Sequence, residues 1–188
     1  MQEDSTRVFI ALWPDSAARA RLGRERDAWS WPSGAKPVAD ASLHLTLHFI
    51  GPLGSDRIAA LERALAALPP APTSLRASGR EVWRGGIAVL EIVVEPALSA
   101  LHGAVAEVLQ RLDVALDPRP FSPHVTLARR ARDAVPPAVA VDLEWRASGI
   151  ALVESVRGVS GSYRVLRSFG DRPEACASDG VTPADGPG

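Results

Sequence analysis

Hydrophobic and polar residues alternate in the segment SLHLTLHFIG, residues 42–51. Leucine or phenylalanine occupies every second position, and His44, Thr46 and His48 occupy the positions between them. A period of two places successive side chains on opposite faces of a strand. The segment therefore predicts a strand over 43–50 with one apolar face and one face that carries two imidazoles and a hydroxyl.

The same patterns divide the rest of the chain into further strands and helices. Strands are predicted at 7–12, 43–50, 74–83, 87–94, 120–128, 139–145, 149–156 and 162–169. Helices are predicted from Asp15 or Ser16 to about Trp29, from Ser55 or Asp56 to about Leu68, and after Pro96. We expect one domain over residues 1–170. The tail at 171–188 is rich in Asp, Gly, Pro, Ala and Ser, and we expect it to be disordered.

These elements contain an internal repeat of strand, helix and strand. The first unit ends in the strand with His44-Leu-Thr-Leu, and the second ends in the strand with His124-Val-Thr-Leu, 80 residues later. Side chains two apart on a strand share a face, so each unit presents an imidazole beside a hydroxyl. If the units pack about a pseudo-twofold axis, we expect both faces to meet in one cleft.

Two imidazoles and two hydroxyls suit displacement at phosphorus. One imidazole can take a proton from the attacking oxygen while the other gives one to the leaving oxygen. The hydroxyls can donate hydrogen bonds to the non-bridging oxygens. A single such motif is more often structural than functional, but its repetition at equivalent places favours function. A two-histidine metal site is the alternative, and no Asp, Glu or Cys lies at ligand spacing near either histidine. We therefore expect neither a metal nor a cofactor.

The two other histidines give weaker signals. His48 shares the predicted face of His44, but Ala128 occupies the matching position in the second unit, so we expect His48 to be peripheral. His102 falls on the helix after Pro96, where a surface or structural role is expected.

Five stretches carry a resemblance to a known family. RVFIALWP, LHLTLHFIGPL, ALHGAV, RPFSPHVTLAR and SYRVLRSF occur in this order over residues 7–169. They resemble the two-histidine (HxTx) phosphoesterase superfamily, and within it the RNA 2′,3′-cyclic phosphodiesterases, historically called 2′–5′ RNA ligases. The resemblance implies an α+β fold of two pseudo-symmetric lobes, each an antiparallel sheet covered by helices, with the active-site cleft between them.

The resemblance also implies an activity and roles for five residues. The implied reaction is metal-independent opening of 2′,3′-cyclic phosphates at RNA ends to 2′-phosphates, and some members also join RNA ends weakly through a 2′–5′ linkage. His44 would protonate the departing O3′ and His124 would deprotonate the attacking water. Thr46 and Thr126 would hold phosphate oxygens, and Arg129 would approach the phosphate.

Two points stay open at this stage. Strict alternation places Arg130 on the face of His124 and Arg129 on the opposite face, unless the strand ends or bulges after Leu127. The substrate alternatives are 2′–5′ oligonucleotides or small cyclic nucleotides. The functional alternative is a module that binds RNA ends or nucleotides without catalysis.

Composition limits the class of protein. The net charge of −1 argues against a general nucleic-acid coat, because such proteins bind through an excess of basic residues. No stretch approaches eighteen uninterrupted apolar residues, and the first residues lack the basic and apolar regions of a signal peptide. We expect a cytoplasmic monomer with no membrane association and no obligate protein partner.

Overall fold

Nine strands and three α-helices make up the fold in the computed structural model, which describes residues 5–156 and 163–170. The elements are β1 (Thr6–Leu12), α1 (Ser16–Asp27), β2 (Lys36–Pro37), a 3-10 turn (Asp40–Ser42), β3 (Leu45–Leu53), α2 (Ser55–Ala66), β4 (Thr73–Trp83), β5 (Ile87–Ile92), α3 (Pro96–Arg111), β6 (His124–Arg129), β7 (Glu144–Ala147), β8 (Gly149–Ser155) and β9 (Tyr163–Gly170).

All nine strands join one sheet, in which the order is β7-β4-β5-β6-β3-β1-β8-β9 and β2 pairs with β6. Every named strand pair is antiparallel. From the centre outward, β3, β1, β8 and β9 form a first lobe, and β6, β5, β4 and β7 form a second. The units β1-α1-β3 and β5-α3-β6 repeat the same element order on either side of the centre. The expected α+β fold with two related lobes is therefore confirmed.

A single hydrophobic core lies beneath both lobes. Its members include Leu45 of the first lobe, Val125 of the second, and Leu98, Val105 and Leu109 of α3. The α3 residues recur at the spacing of a helical face, as the sequence predicts. A smaller cluster of Phe9, Ala11, Ala151 and Val153 covers the other side of the first lobe. The two faces of the sheet are thus distinguished, one packed on helices and one turned toward the cleft.

A mostly buried ion pair ties α1 of the first repeat to β4 of the second lobe. The Arg80 guanidinium donates from Nε and Nη2 to the Glu25 carboxylate, with Nη2 to Oε2 at 2.8 Å, and from Nη1 to the Val139 carbonyl. The indole nitrogen of Trp29 donates to the same carboxylate at 3.3 Å. The two charged side chains are only 9% and 10% exposed. The pair therefore fastens the helix of one repeat to the sheet of the other.

The structure differs from the predicted elements in several places. The strand expected at 43–50 runs from Leu45 to Leu53, so His44 lies directly before it. The strand expected at 120–128 begins only at His124, and the strand expected at 139–145 begins at Glu144. The two-residue strand β2 has no counterpart among the predicted strands. The tail at 171–188 lies outside the described residues. Within the described part of the chain, no helix is both long and apolar enough to span a membrane.

Removal of one partner of the Glu25–Arg80 pair should destabilise the fold strongly. Arg80→Ala leaves the Glu25 carboxylate mostly buried without its cation, which should cost about 3 kcal/mol of unfolding free energy. The matched control is Arg164→Ala, since Arg164 pairs with Glu154 but is 69% exposed. That pair should contribute about 1 kcal/mol or less. Urea denaturation measures both, and equal losses would contradict the interpretation of the Glu25–Arg80 pair.

Candidate active site

The two His-x-Thr-Leu motifs lie side by side at the centre of the sheet. Strands β3 and β6 pair at one position, Leu45 opposite Val125, and both of these residues are buried. His44 and Thr46 flank the first, and His124 and Thr126 flank the second. Because the apolar members of each motif point into the core, the polar members project on the opposite face, as the alternation predicts.

Each motif histidine is held by the carbonyl two residues before it. The Nδ1 of His44 lies 2.7 Å from the Ser42 carbonyl oxygen, and the Nδ1 of His124 lies 2.8 Å from that of Ser122. A carbonyl can only accept, so Nδ1 carries the proton and donates in both cases. The remaining nitrogen, Nε2, is then the one that each ring offers to a substrate.

Aromatic rings surround the two histidines unequally. His44 stacks on Trp13, with centroids 5.1 Å apart and planes 9° apart, and it contacts Tyr163 edge-on at 5.0 Å. Phe9 lies 5.1 Å from the same ring. In the second lobe Trp83 contacts His124 at 4.3 Å. The first histidine is therefore enclosed by three aromatic rings that the second lacks.

The enclosure affects the protonation of both rings. Burial lowers the pKa of His44 to about 4; the charges of His124 and Arg129 act in the same direction, and the hydrogen bond to Ser42 opposes them. Burial also lowers the pKa of His124, with a contribution from Arg129. The charge of His124 reaches His44, so the protonation of one ring opposes the protonation of the other.

A β-bulge interrupts β3 directly after the first motif. Thr46 pairs with Ala11 of β1, and His48 pairs with the neighbouring residue Ile10. Leu47 therefore has no partner on β1 and is the extra residue of the bulge. A bulge shifts the alternation by one position. His48 therefore turns toward α3 and is only 7% exposed. The prediction that it shares the face of His44 is wrong.

A matching bulge interrupts β6 directly after the second motif. Thr126 pairs with Val89 of β5, and Ala128 pairs with the neighbouring residue Ala88. Leu127 is therefore the extra residue of the bulge. Alternation resumes one position later, which places Arg129 on the cleft side. Arg130 follows in a left-handed conformation, with φ of 55°. The bulge explains why Arg129, and not Arg130, faces the cleft.

One cleft of about 870 Å³ collects the predicted site residues. All five of them line it: His44, Thr46, His124, Thr126 and Arg129. Within residues 5–156 and 163–170, no group of three or more His, Cys, Asp or Glu side chains is arranged to hold a metal ion.

His48 and His102 also line this cleft. His48 stacks on His102 with centroids 4.1 Å apart, and His102 stacks on Phe121 at 3.9 Å. The Nε2 of His48 lies 3.0 Å from the carbonyl oxygen of His102 and donates to it, which ties β3 to α3. Burial lowers the pKa of both rings, that of His102 to about 4. The expectation that His48 is peripheral to the two motifs stays a prediction, and a structural role for His102 agrees with the stack.

The aromatic shell was not foreseen as part of the site. Trp13 and Tyr163 lie far from the motifs in sequence, but strand β1 is the direct neighbour of β3, and both residues belong to the stretches RVFIALWP and SYRVLRSF. Their presence in stretches that accompany the motifs is the signal that could have identified them.

The sequence profile of the 2′-5′ RNA ligase superfamily matches residues 12–159 of the chain. An RNA 2′,3′-cyclic phosphodiesterase of Thermus thermophilus is 35% identical to it over 97% of this chain and 96% of that protein. One from Archaeoglobus fulgidus is 29% identical over 67% of this chain and 73% of the relative.

Solved structures show the same fold. The crystal structure of a Thermus thermophilus protein superposes with a TM-score of 0.75 at 27% identity and covers 90% of this chain and all of that chain. Apo LigT from Escherichia coli superposes with a TM-score of 0.75 at 25% identity, over 88% of this chain and 97% of that one.

Removal of the stacked indole should raise the pKa of His44. Trp13→Ala admits water to the ring, and water favours the charged form, so the pKa should move from about 4 toward the ordinary value of 6.5. Proton NMR of the imidazole carbons across pH measures this shift. Trp83→Ala is the matched control and should affect His124 in preference to His44. An unchanged His44 in Trp13→Ala would show that the stacked ring does not set its pKa.

Proposed function

Because the chain belongs to the 2′-5′ RNA ligase superfamily, we propose that it hydrolyses 2′,3′-cyclic phosphates at RNA ends to 2′-phosphates by paired-histidine catalysis. One observation carries the proposal: two imidazoles, each with Nδ1 held by a carbonyl, line one cleft together with two threonines. The relatives named RNA 2′,3′-cyclic phosphodiesterase supply the substrate class.

In the proposed reaction, water attacks phosphorus while the bond from phosphorus to O3′ breaks. Nε2 of His124 takes the proton that water loses, and Nε2 of His44 gives a proton to O3′. The products are a 2′-phosphate and a 3′-hydroxyl, and the active form is the singly protonated pair. If an RNA 5′-hydroxyl replaces water, the same steps form a 2′–5′ linkage, which we include in the proposal as a weak side reaction.

The unequal burial of the rings separates their affinities for a proton. Burial lowers the pKa of His44 to about 4, so in the free cleft His44 is the neutral ring and the proton of the singly protonated pair lies on His124. The assignment of His44 as the donor follows the resemblance to the family, and a charged His44 with so low a pKa is a strong acid toward O3′. The anionic phosphodiester favours the charged ring when it enters the cleft, so the substrate helps to load the proton that His44 then donates.

The phosphate oxygens need hydrogen-bond donors through the transition state. Thr46 and Thr126 project beside the histidines, and Arg129 lies just beyond the second bulge. We assign these three side chains to the non-bridging oxygens. The reaction in this scheme takes place within one chain, so we propose that residues 1–170 work as a single bilobal domain and that the enzyme acts as a monomer.

The reaction itself should proceed with a chelator present. Incubation of the protein with a 2′,3′-cyclic mononucleotide and EDTA should yield the 2′-phosphate, because no step of the scheme uses a metal. Chromatography against standards of the 2′- and 3′-phosphates identifies the product. Formation of the 3′-phosphate would refute the assignment of O3′ as the leaving group, and saturable binding without turnover would favour the non-catalytic module.

Loss of either motif histidine should cost nearly as much as loss of both. His44→Ala and His124→Ala should each lower kcat by about 10²–10⁴-fold, since each removes one partner of an acid–base pair. The double variant should be little worse, because residues that act as a unit are not additive. Thr46→Ala and Thr126→Ala should lose less. Thermal unfolding checks that each variant folds, and retention of more than about a tenth of the activity by a folded histidine variant would contradict the scheme.

A further inference from the structure

The two-residue strand β2 extends the line of β3 along β6. Val38 donates its backbone N–H to the Leu127 carbonyl, and Lys36 pairs directly opposite Arg129. Leu45 of β3 pairs with β6 further along the same edge. The short strand therefore places Lys36 along the same strand, β6, that pairs with the first motif and carries the second.

Lys36 and Arg129 are exposed and line the same cleft. In the part of the chain that the structure describes, neither side chain has an ion pair or a hydrogen bond. Like charges directly opposite each other on neighbouring strands destabilise a sheet. A bound anion between them removes this penalty.

The charge of the cleft favours such an anion. Among the described residues that line it, Asp117 is the one carboxylate, and it is already paired with Arg119 through Nε at 2.9 Å. The charge of Arg129 reaches both motif histidines, and Lys36 pairs opposite Arg129, so both cations lie beside the reacting centre. Lys36 is thus placed to hold a second phosphate beside the one that reacts and that Arg129 contacts.

We propose that Lys36 binds the internucleotide phosphate next to the terminal cyclic phosphate that Arg129 contacts. The inference rests on the proposed function and adds to it a preference for RNA ends over cyclic mononucleotides. An RNA with a cyclic phosphate at its 3′ end has its remaining phosphates on the 5′ side of the terminal nucleoside. A lysine suits this position because its ammonium is a compact charge on a flexible stem, which accepts more than one phosphate orientation.

The composition of the chain provides a direct test by chemical labelling. Lys36 is the only lysine, so an amine-specific acylating reagent modifies Lys36 and the α-amino group. A dinucleotide that ends in a 2′-phosphate should slow acylation of Lys36 by about fivefold or more at saturation, corresponding to about 1 kcal/mol. A 2′-mononucleotide should leave the rate nearly unchanged. Mass spectrometry follows both sites, and the α-amino group serves as the internal control.

Turnover provides an independent test. Lys36→Gln should lower kcat/KM for a cyclic-phosphate-terminated dinucleotide by about fivefold and leave that for a cyclic mononucleotide unchanged. It should also reduce the slope of log(kcat/KM) against log salt by about 0.7. Lys36→Arg should retain the preference. The matched control is Arg146→Gln, which removes one charge from the exposed side of edge strand β7.

Two outcomes would overturn the proposal: equal protection of Lys36 by both nucleotides or by neither, or an equal loss of kcat/KM on both substrates in Lys36→Gln. Failure of the proposed function gives a different result. In that case the unmodified protein turns over neither substrate, while the labelling experiment still reports whether Lys36 binds the second phosphate.

Discussion

Strands β3 and β6 join the two halves of the sheet through one pair, Leu45 opposite Val125, and the short strand β2 continues the contact along β6. This pair fixes the register between the two motifs and holds their polar residues on one face of a continuous sheet. The lobes share one hydrophobic core below this point, so the opening between them is a feature of a rigid fold.

The repeat makes the site symmetric in chemistry but not in environment. Both histidines use the same carbonyl contact to fix the tautomer, and both motifs end in a bulge. After the bulge, the first strand presents Phe49, which is 58% exposed, and the second presents Arg129. Apolar and aromatic surface therefore lies on the side of His44, and positive charge lies on the side of His124. The imidazoles of His44 and His124 therefore differ in their affinity for a proton. Acid–base chemistry at one phosphorus atom requires such a difference.

Much of this could be predicted from the sequence, because period-two and period-3.6 patterns report on burial, and burial dominates the fold. The repeat and the shared faces of His44 with Thr46 and of His124 with Thr126 follow from such patterns, while the fold of two lobes came from the resemblance to the family. The bulges could not be predicted, since each adds a residue whose effect depends on the partner strand. That is why His48 was assigned to the wrong face and why the choice between Arg129 and Arg130 stayed open. Strand β2 was missed because two residues, one of them proline, form no pattern.

The most direct test of the central claim, that one imidazole gives a proton while the other takes one, is the pH dependence of hydrolysis of a 2′,3′-cyclic mononucleotide. The dependence of kcat/KM reports the unliganded pair, whose pKa values are lowered by burial, so it should form a bell with its maximum below about pH 6.5. The bell for kcat should lie at higher pH, because the bound phosphate favours the charged rings. Profiles with a single limb, or bells whose positions do not differ between the two parameters, would contradict the account.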